Sequence, residues 1–314
     1  MNLSKMSKNK LVFLSSDSIA IPCLESLNKD YDILVVTKSD KQQKRSDKKQ
    51  ANKFAIYCEE KNISVIKIDN FTEDVFTSLK NHAAEYAVCF SFGLIIPDSV
   101  LNLYPDKLIN IHPSLLPKYR GPSPIQIALL NGDASTAISY MIMDSKMDEG
   151  DILKQISINI KPTDTYTSLS QNIAHIAGDN IVKVLSEYID GSIKAIPQND
   201  NATYCKMLNK EDGKVDYSNS AIEIYNKYRA YYEWPKLYTY WNDRKIILTK
   251  IEYLNIINKD VGVIYELESS IYIQLKDGSI KLNELQLEGK KNMPIQAFVN
   301  GHADFINSIL SSSL

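Results

Sequence analysis

Between residues 11 and 190, short apolar runs rich in β-branched and aromatic residues alternate with segments of helical period, and this limits the fold more than any other feature. The pairs are LVFL then IAIPCLESL, DILVVT then ANKFAIYCEEKN, ISVIKI then TEDVFTSLKNH, and YAVCFSF then DSVLNLY. Such alternation predicts βαβ units and a mostly parallel sheet. LINIH follows, then the apolar helix candidate SPIQIALLNGD and the strands AISYMIMD and DILKQISINI. The long helical stretch YTSLSQNIAHIAGDNIVKVLSEYIDG closes this half, with Gly191 as its stop. One open-sheet α/β domain is therefore expected over residues 1–196. From about residue 207 the texture changes to short strands parted by turn signals, as in LYTYWNDRKIILTKIEYL and SIYIQLKDGSIKLNELQ, which predicts a small antiparallel barrel over 207–314. The polar stretch IPQNDNATYCKML has a linker's composition, and residues 197–206 are read as one.

The chain of 314 residues, 44% hydrophobic and 24% charged, is ordinary for a folded two-domain protein. Its net charge of −2 means that a polyanion would have to meet a local basic patch. Cys23, Cys58, Cys89 and Cys205 lack CxxC spacing, which argues against a zinc site or a disulfide framework and fits a reducing compartment. No run approaches the ~18 apolar residues of a membrane span. The opening MNLSKMSKNKLVFLSSDS reads as a cytoplasmic first strand and not as a signal peptide. No GxGxxG, GxxxxGK[ST] or HExxH motif is present, so nucleotide phosphate grips and zincin chemistry have no support.

The stretch NIHPSLLPKYRG, Asn110 to Gly121, ends an apolar strand in an Asn, a His and a proline-stiffened loop. Asn110 and His112 are two residues apart, so on an extended strand they project from one face. Downstream, MIMDSKMDEGDIL offers Asp144, Asp148, Glu149 and Asp151 between two strands. An Asn, His and Asp constellation can act at a carbonyl, transferring an acyl group without a covalent intermediate, since no Ser or Cys is paired with a base. From the residues alone the alternatives stay open: strand-end polar groups also serve structure, and DEGD also reads as a solvated turn.

NIHPSLLPKYRG followed by MDEGDI resembles the signature of the folate-dependent formyltransferases, which move a formyl group from 10-formyltetrahydrofolate to an amine. The resemblance implies an open Rossmann-like domain followed by an OB-like antiparallel β-barrel, with no metal. It implies that Asn110 hydrogen-bonds the formyl oxygen, that His112 lies beside it, that Asp148 completes the catalytic site and that Ser139 supports His112. It assigns the folate pocket to Phe92, Gly93, Leu94, Ile95, Ile96 and Pro97, to Ser114, Leu115, Leu116 and Pro117 of the signature, and to Met143, Asp144 and Met147.

In the second half, ATYCKMLNKEDGKVDY, YRAYYEWPKLYTYW and LQLEGKKNMPIQAFVNG resemble, in that order, the C-terminal domain of family members that act on initiator methionyl-tRNA. The implied partners are that tRNA and the folate, met by a cytoplasmic monomer with no membrane attachment. KSDKQQKRSDKKQANK, Lys38 to Lys53, holds seven Lys or Arg against two Asp. A solvated loop is the bland reading of such a run. In the family, however, this loop meets the tRNA acceptor stem, which implies tRNA contact by Arg45, Lys41, Lys44, Lys48 and Lys49. Of Tyr228, Tyr231, Tyr232, Trp234, Tyr238, Tyr240 and Trp241, most are expected to fill the barrel core or its junction with the first domain more than to stack on bases.

The chain departs from the family pattern at Ser15, Ser16 and Asp17, where Gly-Thr-Pro is usual, at KSDK, and at YYEWPKLY. These departures touch loop geometry and tRNA contact and leave the signature intact. Two other readings keep the same catalytic half: a sugar-nucleotide N-formyltransferase, and an inactive protein that only binds RNA or folate.

Overall fold

The computed structural model describes residues 8–42 and 49–312. Lys44, Arg45 and Lys48 of the basic loop lie outside the described residues. In chain order the elements are β1 (Asn9–Leu14), α1 (Ile21–Asn28), β2 (Tyr31–Lys38), β3 (Lys41–Gln42), β4 (Lys49–Gln50), α2 (Lys53–Glu60), β5 (Ser64–Ile68), α3 (Glu73–His82), β6 (Tyr86–Cys89), α4 (Asp98–Leu101), β7 (Leu108–His112), α5 (Pro124–Leu130), β8 (Ser135–Ile142), β9 (Ile152–Asn159) and α6 (Tyr166–Ile189). There follow α7 (Ala221–Ala230), β10 (Tyr238–Trp241), β11 (Arg244–Leu254), β12 (Ile264–Leu267), β13 (Ser270–Leu275), β14 (Gly278–Leu287), β15 (Met293–Pro294) and α8 (Ile295–Gly301). Lys41 and Lys49 thus fall on the short antiparallel ribbon β3–β4.

Two compact units emerge. The first comprises Met1–Pro124, Thr136–Ile158 and Ser170–Cys205, the second Ile125–Ser135, Asn159–Leu169 and Lys206–Leu314. The first is built on a seven-stranded sheet in the order β5-β2-β1-β6-β7-β8-β9. Pairing is parallel from β5 through β7, and β8 then runs antiparallel to β7. The expected mostly parallel open sheet is therefore present. Leu11, Val12, Phe13 and Leu14 of β1 are all fully buried, as a central strand covered by helices on both faces requires. Local chemistry fixes the helix starts: the Asn52 side chain accepts from Phe54 N and Ala55 N to cap α2, and Pro22 opens α1.

The second unit carries a curled antiparallel sheet in the order β10-β11-β14-β13-β12, with β15 branching from β14, and residues 307–311 hydrogen-bond to both edge strands, at Tyr240 of β10 and at Ile264 of β12. Register shifts at Leu248 to Ile251 give β11 the irregularity that lets a strand bend. Trp241, Phe298 and Phe305 meet edge to face in its core. Tyr228, Tyr231, Tyr238 and Trp241 are buried, whereas Tyr232 and Trp234 stay exposed. Segment 159–169 joins this unit through Arg229, whose Nη1 donates to the carbonyls of Lys161 and Asp164 at 3.4 and 3.3 Å.

Gly178 of α6 packs on α1 so closely that a Cβ would lie 2.8 Å from the Pro22 carbonyl carbon and Cβ. In an open helix, Gly to Ala gains roughly 1 kcal/mol. Here forced overpacking reverses the sign, and Gly178→Ala is expected to lower the unfolding free energy by about 1–2 kcal/mol. Chemical denaturation measures this, and a more stable variant would contradict the packing.

Candidate active site

β7 is buried along its whole length, and Asn110 and His112 point from one of its faces. Antiparallel pairing sets His112 opposite Ser139 and Asn110 opposite Met141. Because β8 runs back along β7, the loop after it begins beside Leu108, where Met143 N donates to the Leu108 carbonyl at 2.8 Å. It must then fold across the strand to reach the signature residues.

Asp148 makes that return. Its backbone takes the left-handed conformation, φ 55°, which an Asp tolerates better than most residues. Its Oδ1 accepts from Asn110 Nδ2 at 3.4 Å, its Oδ2 accepts from Gly121 N at 2.7 Å, and the same Oδ2 lies 3.5 Å from His112 Nδ1. The other imidazole nitrogen, Nε2, is 3.0 Å from the Tyr119 carbonyl oxygen. Both ring nitrogens thus face acceptors, so a ring carrying both N–H groups has a partner for each. Asn110 and His112 are 9% and 4% exposed, so this polar cluster works largely out of water.

Ser139 is fully buried beside His112, yet its hydroxyl serves the following loop. It donates to the Ser114 carbonyl at 2.6 Å and accepts from Leu116 N at 3.2 Å and from Gln155 Nε2 at 2.8 Å. Any support it gives the imidazole passes through that loop.

The segments expected to hold folate alternate between core and surface. Phe92, Ile96, Ser114 and Leu116 are buried, while Ile95, Leu115 and Met147 are 89%, 41% and 66% exposed. Leu94, Pro97, Pro117 and Met143 are half-buried and Asp144 is exposed. Met143 and Asp144 line a cavity of about 470 Å³ with Asp106, Gly150, Asp151 and Tyr188. Phe92 and Gly93 line a separate one of about 500 Å³ at the carboxyl ends of β1, β2 and β6, with Ser16, Asp17, Lys38 and Asn52. Of the residues expected to hold folate, Phe92 and Gly93 thus meet one cavity and Met143 and Asp144 the other, while Ser114 to Pro117 line neither. Among the described residues no group of three or more His, Cys, Asp or Glu is placed to hold a metal ion. No helix of the described residues is long and apolar enough to cross a membrane.

Sequence reasoning missed the groups that frame Asp148. Gly121 has φ +118°, and a Cβ there would sit 2.4 Å from the Cys205 carbonyl oxygen. The stretch with a linker's composition is what approaches it. Thr203 N donates to the Pro117 carbonyl and Arg120 N to the Thr203 carbonyl, while Cys205 N donates to the Arg120 carbonyl. Only the glycine in YRG carried a signal of this close approach.

Comparison with known proteins shows the family. The family profile described as Formyl transferase matches residues 10–185, and that described as Formyl transferase, C-terminal domain, matches 207–303. The chain belongs to the formyl transferase family. It is 33% identical over 308 residues to the methionyl-tRNA formyltransferase of Borrelia duttonii, covering 96% of this chain and 100% of that one. Solved structures share the fold. One is WlaRD, a sugar 3N-formyl transferase in the presence of dTDP and 5-N-formyl-THF (TM-score 0.65, 21% identity, 91% of this chain and 100% of that chain). Another is a methionyl-tRNA formyltransferase from Clostridium thermocellum (TM-score 0.58, 16% identity, 79% and 94%).

In this formyl transferase neither nitrogen of His112 is turned to a hydroxyl or a thiol that it could activate. Cys89, paired in register with Asn110, is the thiol nearest in the sheet. Burial first, and the Asp148 charge second, push that thiol from its ordinary 9.0 up to about 12. A raised pKa leaves less thiolate at a given pH. Iodoacetamide at pH 8 is therefore expected to label Cys89 at least a hundredfold more slowly in the folded protein than in denaturant. Peptide mapping of both samples checks this, and equal rates would show an accessible thiolate.

Proposed function

We propose that this formyl transferase moves the formyl group of 10-formyltetrahydrofolate to the amino group of initiator methionyl-tRNA. The observation that carries the chemistry is the closure of Asp148 on Asn110 and His112. In this reading the amine attacks the formyl carbon, and the carbonyl oxygen becomes an oxyanion held by the Asn110 amide and an imidazolium of His112. The C–N bond to the folate then breaks as the oxyanion collapses. Asp148 stabilises the imidazolium and passes the amine's proton through water to the departing folate nitrogen. The Asn110 to Asp148 hydrogen bond, at 3.4 Å, is long enough to be surrendered to the oxyanion at small cost. Ile95, Leu115 and Met147 supply exposed apolar surface for a flat pterin from the segments the family resemblance assigns to it.

The acceptor is proposed from the curated relative, whose similarity runs through the C-terminal domain. The basic loop supports a polyanionic substrate, with Arg45, Lys44 and Lys48 joined by Lys41 and Lys49. Residues 1–196 are assigned the formyl chemistry and 207–314 the tRNA, in a cytoplasmic monomer that needs no metal.

Asn110→Ala, His112→Ala and Asp148→Ala should each lower kcat by about two orders of magnitude, ~3 kcal/mol of barrier, because each acts on charge that develops in the transition state. KM for tRNA should hardly move. Formylmethionine release from charged initiator tRNA supplies the assay, and near-normal kcat in a variant removes that residue from the mechanism.

Arg45→Ala should cost about 1–3 kcal/mol in kcat/KM for tRNA with unchanged folate affinity. Neutralising Lys41, Lys44 and Lys48 should lower the salt slope by roughly one unit for each phosphate that is no longer neutralised. Measurements at two salt concentrations decide the matter. Values equal to wild type in both variants, with transfer to an amino-sugar nucleotide, would reassign the acceptor.

A further inference from the structure

The side-chain amide of Gln198 meets the backbone of the Asp148 turn and the guanidinium of Arg120 at once. Its Nε2 donates to the Asp148 carbonyl at 2.9 Å and to the Gly150 carbonyl at 2.8 Å. Its Oε1 accepts from Arg120 Nε at 3.1 Å and from Nη2 at 2.8 Å. Both amide hydrogens and the oxygen are thereby engaged, and the partners fix which end is which: two carbonyls need donors and a guanidinium needs an acceptor. Arg120 is 7% exposed, and its Nη1 lies 3.1 Å from Tyr204 Oη and 3.4 Å from Glu149 Oε1. Glu149 belongs to the same turn, so the turn is gripped at three successive residues.

We infer that Gln198, oriented by Arg120, is a positioning residue that holds Asp148 in reach of Asn110 and His112. The inference rests on the reading of Asp148 as part of the formyl-transfer site. A left-handed Asp on a loop that must cross its own sheet does not hold that pose by local preference. Gly121, the neighbour of Arg120, grips the same Asp148 through its carboxylate at 2.7 Å. One backbone step, 120 to 121, therefore sets both the main chain of Asp148, through Gln198, and its carboxylate. Neither Glu, Arg nor Met replaces the amide. Glu offers no donors to the two carbonyls, Arg offers Arg120 no acceptor, and Met offers neither.

The test uses the full-length protein and two readouts, amide exchange at Gly121 and steady-state formyl transfer. In Gln198→Met and Gln198→Glu, Gly121 exchange should accelerate at least tenfold, because its acceptor is no longer held, while Val12 and Val88 in the central sheet stay within twofold of wild type. kcat should fall between tenfold and a hundredfold, with KM for donor and acceptor within threefold. In an Asp148→Ala background, Gln198→Met should add less than a further twofold, since it acts through that carboxylate. Arg120→Lys keeps the Gln198 amide but loses the planar fork, and should give an intermediate acceleration at Gly121; it carries the test if the Gln198 variants fail to fold. Unchanged Gly121 exchange in the folded variants overturns the inference. So does a full kcat loss that persists on top of Asp148→Ala. If wild type transfers no formyl group, the proposed function falls by itself, and the exchange ratio still decides whether Gln198 holds Asp148.

Discussion

The site depends on one arrangement: a carboxylate, Asp148, withdrawn from water and laid against β7. Its side chain is 14% exposed, and a charge in that position costs free energy unless each oxygen is met. The Gly121 N–H, the Asn110 amide and the imidazole of His112 do this together. None of the three is useful alone. The carboxylate needs all three donors to meet its oxygens, and the imidazole is oriented between Asp148 on one side and the Tyr119 carbonyl on the other.

Topology makes the arrangement awkward to reach. The parallel strands deliver Asn110 and His112 at the carboxyl end of β7, where open α/β sheets present their ligands. The reversal of β8 then starts the Asp148 loop beside Leu108, at the other end of that strand. Crossing back leaves a turn with little secondary structure of its own, and its groups find partners in a distant segment. Residues 117–123 and 203–205 pair over the gap, Ser123 N donating to Cys205 Sγ at 3.3 Å. The cost of this lacing is that Gly121 must approach the Cys205 carbonyl more closely than any side chain permits.

Much of this was legible in the chain, and what was not shares a physical character. Runs such as LVFL and YAVCFSF revealed the central strands because burial on both faces demands unbroken apolar sequence. The spacing of Asn110 and His112 revealed their common face, because strand period is independent of context. The approach of Asp148 was readable only as an acidic turn between strands, and the motif resemblance singled out one carboxylate among four. Gln198 was unreadable. A side-chain amide bonded to carbonyls fifty residues away leaves no periodicity, and PQND has the composition of any solvated stretch. The barrel of the second half was legible in its short strands parted by turn signals, whereas the register shifts at Leu248 to Ile251 of β11 carry no turn residue to mark them.

The same geometry fits the proposed direct transfer better than a covalent relay. A nucleophilic mechanism needs a hydroxyl or thiol whose proton the imidazole can take. Ser114 spends its hydroxyl on the Lys118 carbonyl, and Ser139 spends its own on the loop at Ser114. Cys89 is held as a thiol by burial. With these two hydroxyls and this thiol committed elsewhere, His112 is left to hold charge. In the proposed reaction the amine of the acceptor is then the attacking group. A direct attack demands that the charge stabilisers be in place beforehand, because no covalent intermediate holds the reacting centre while they adjust. This is why the pose of Asp148, set from outside its own loop, matters more here than the identity of any side chain that could share a proton with it.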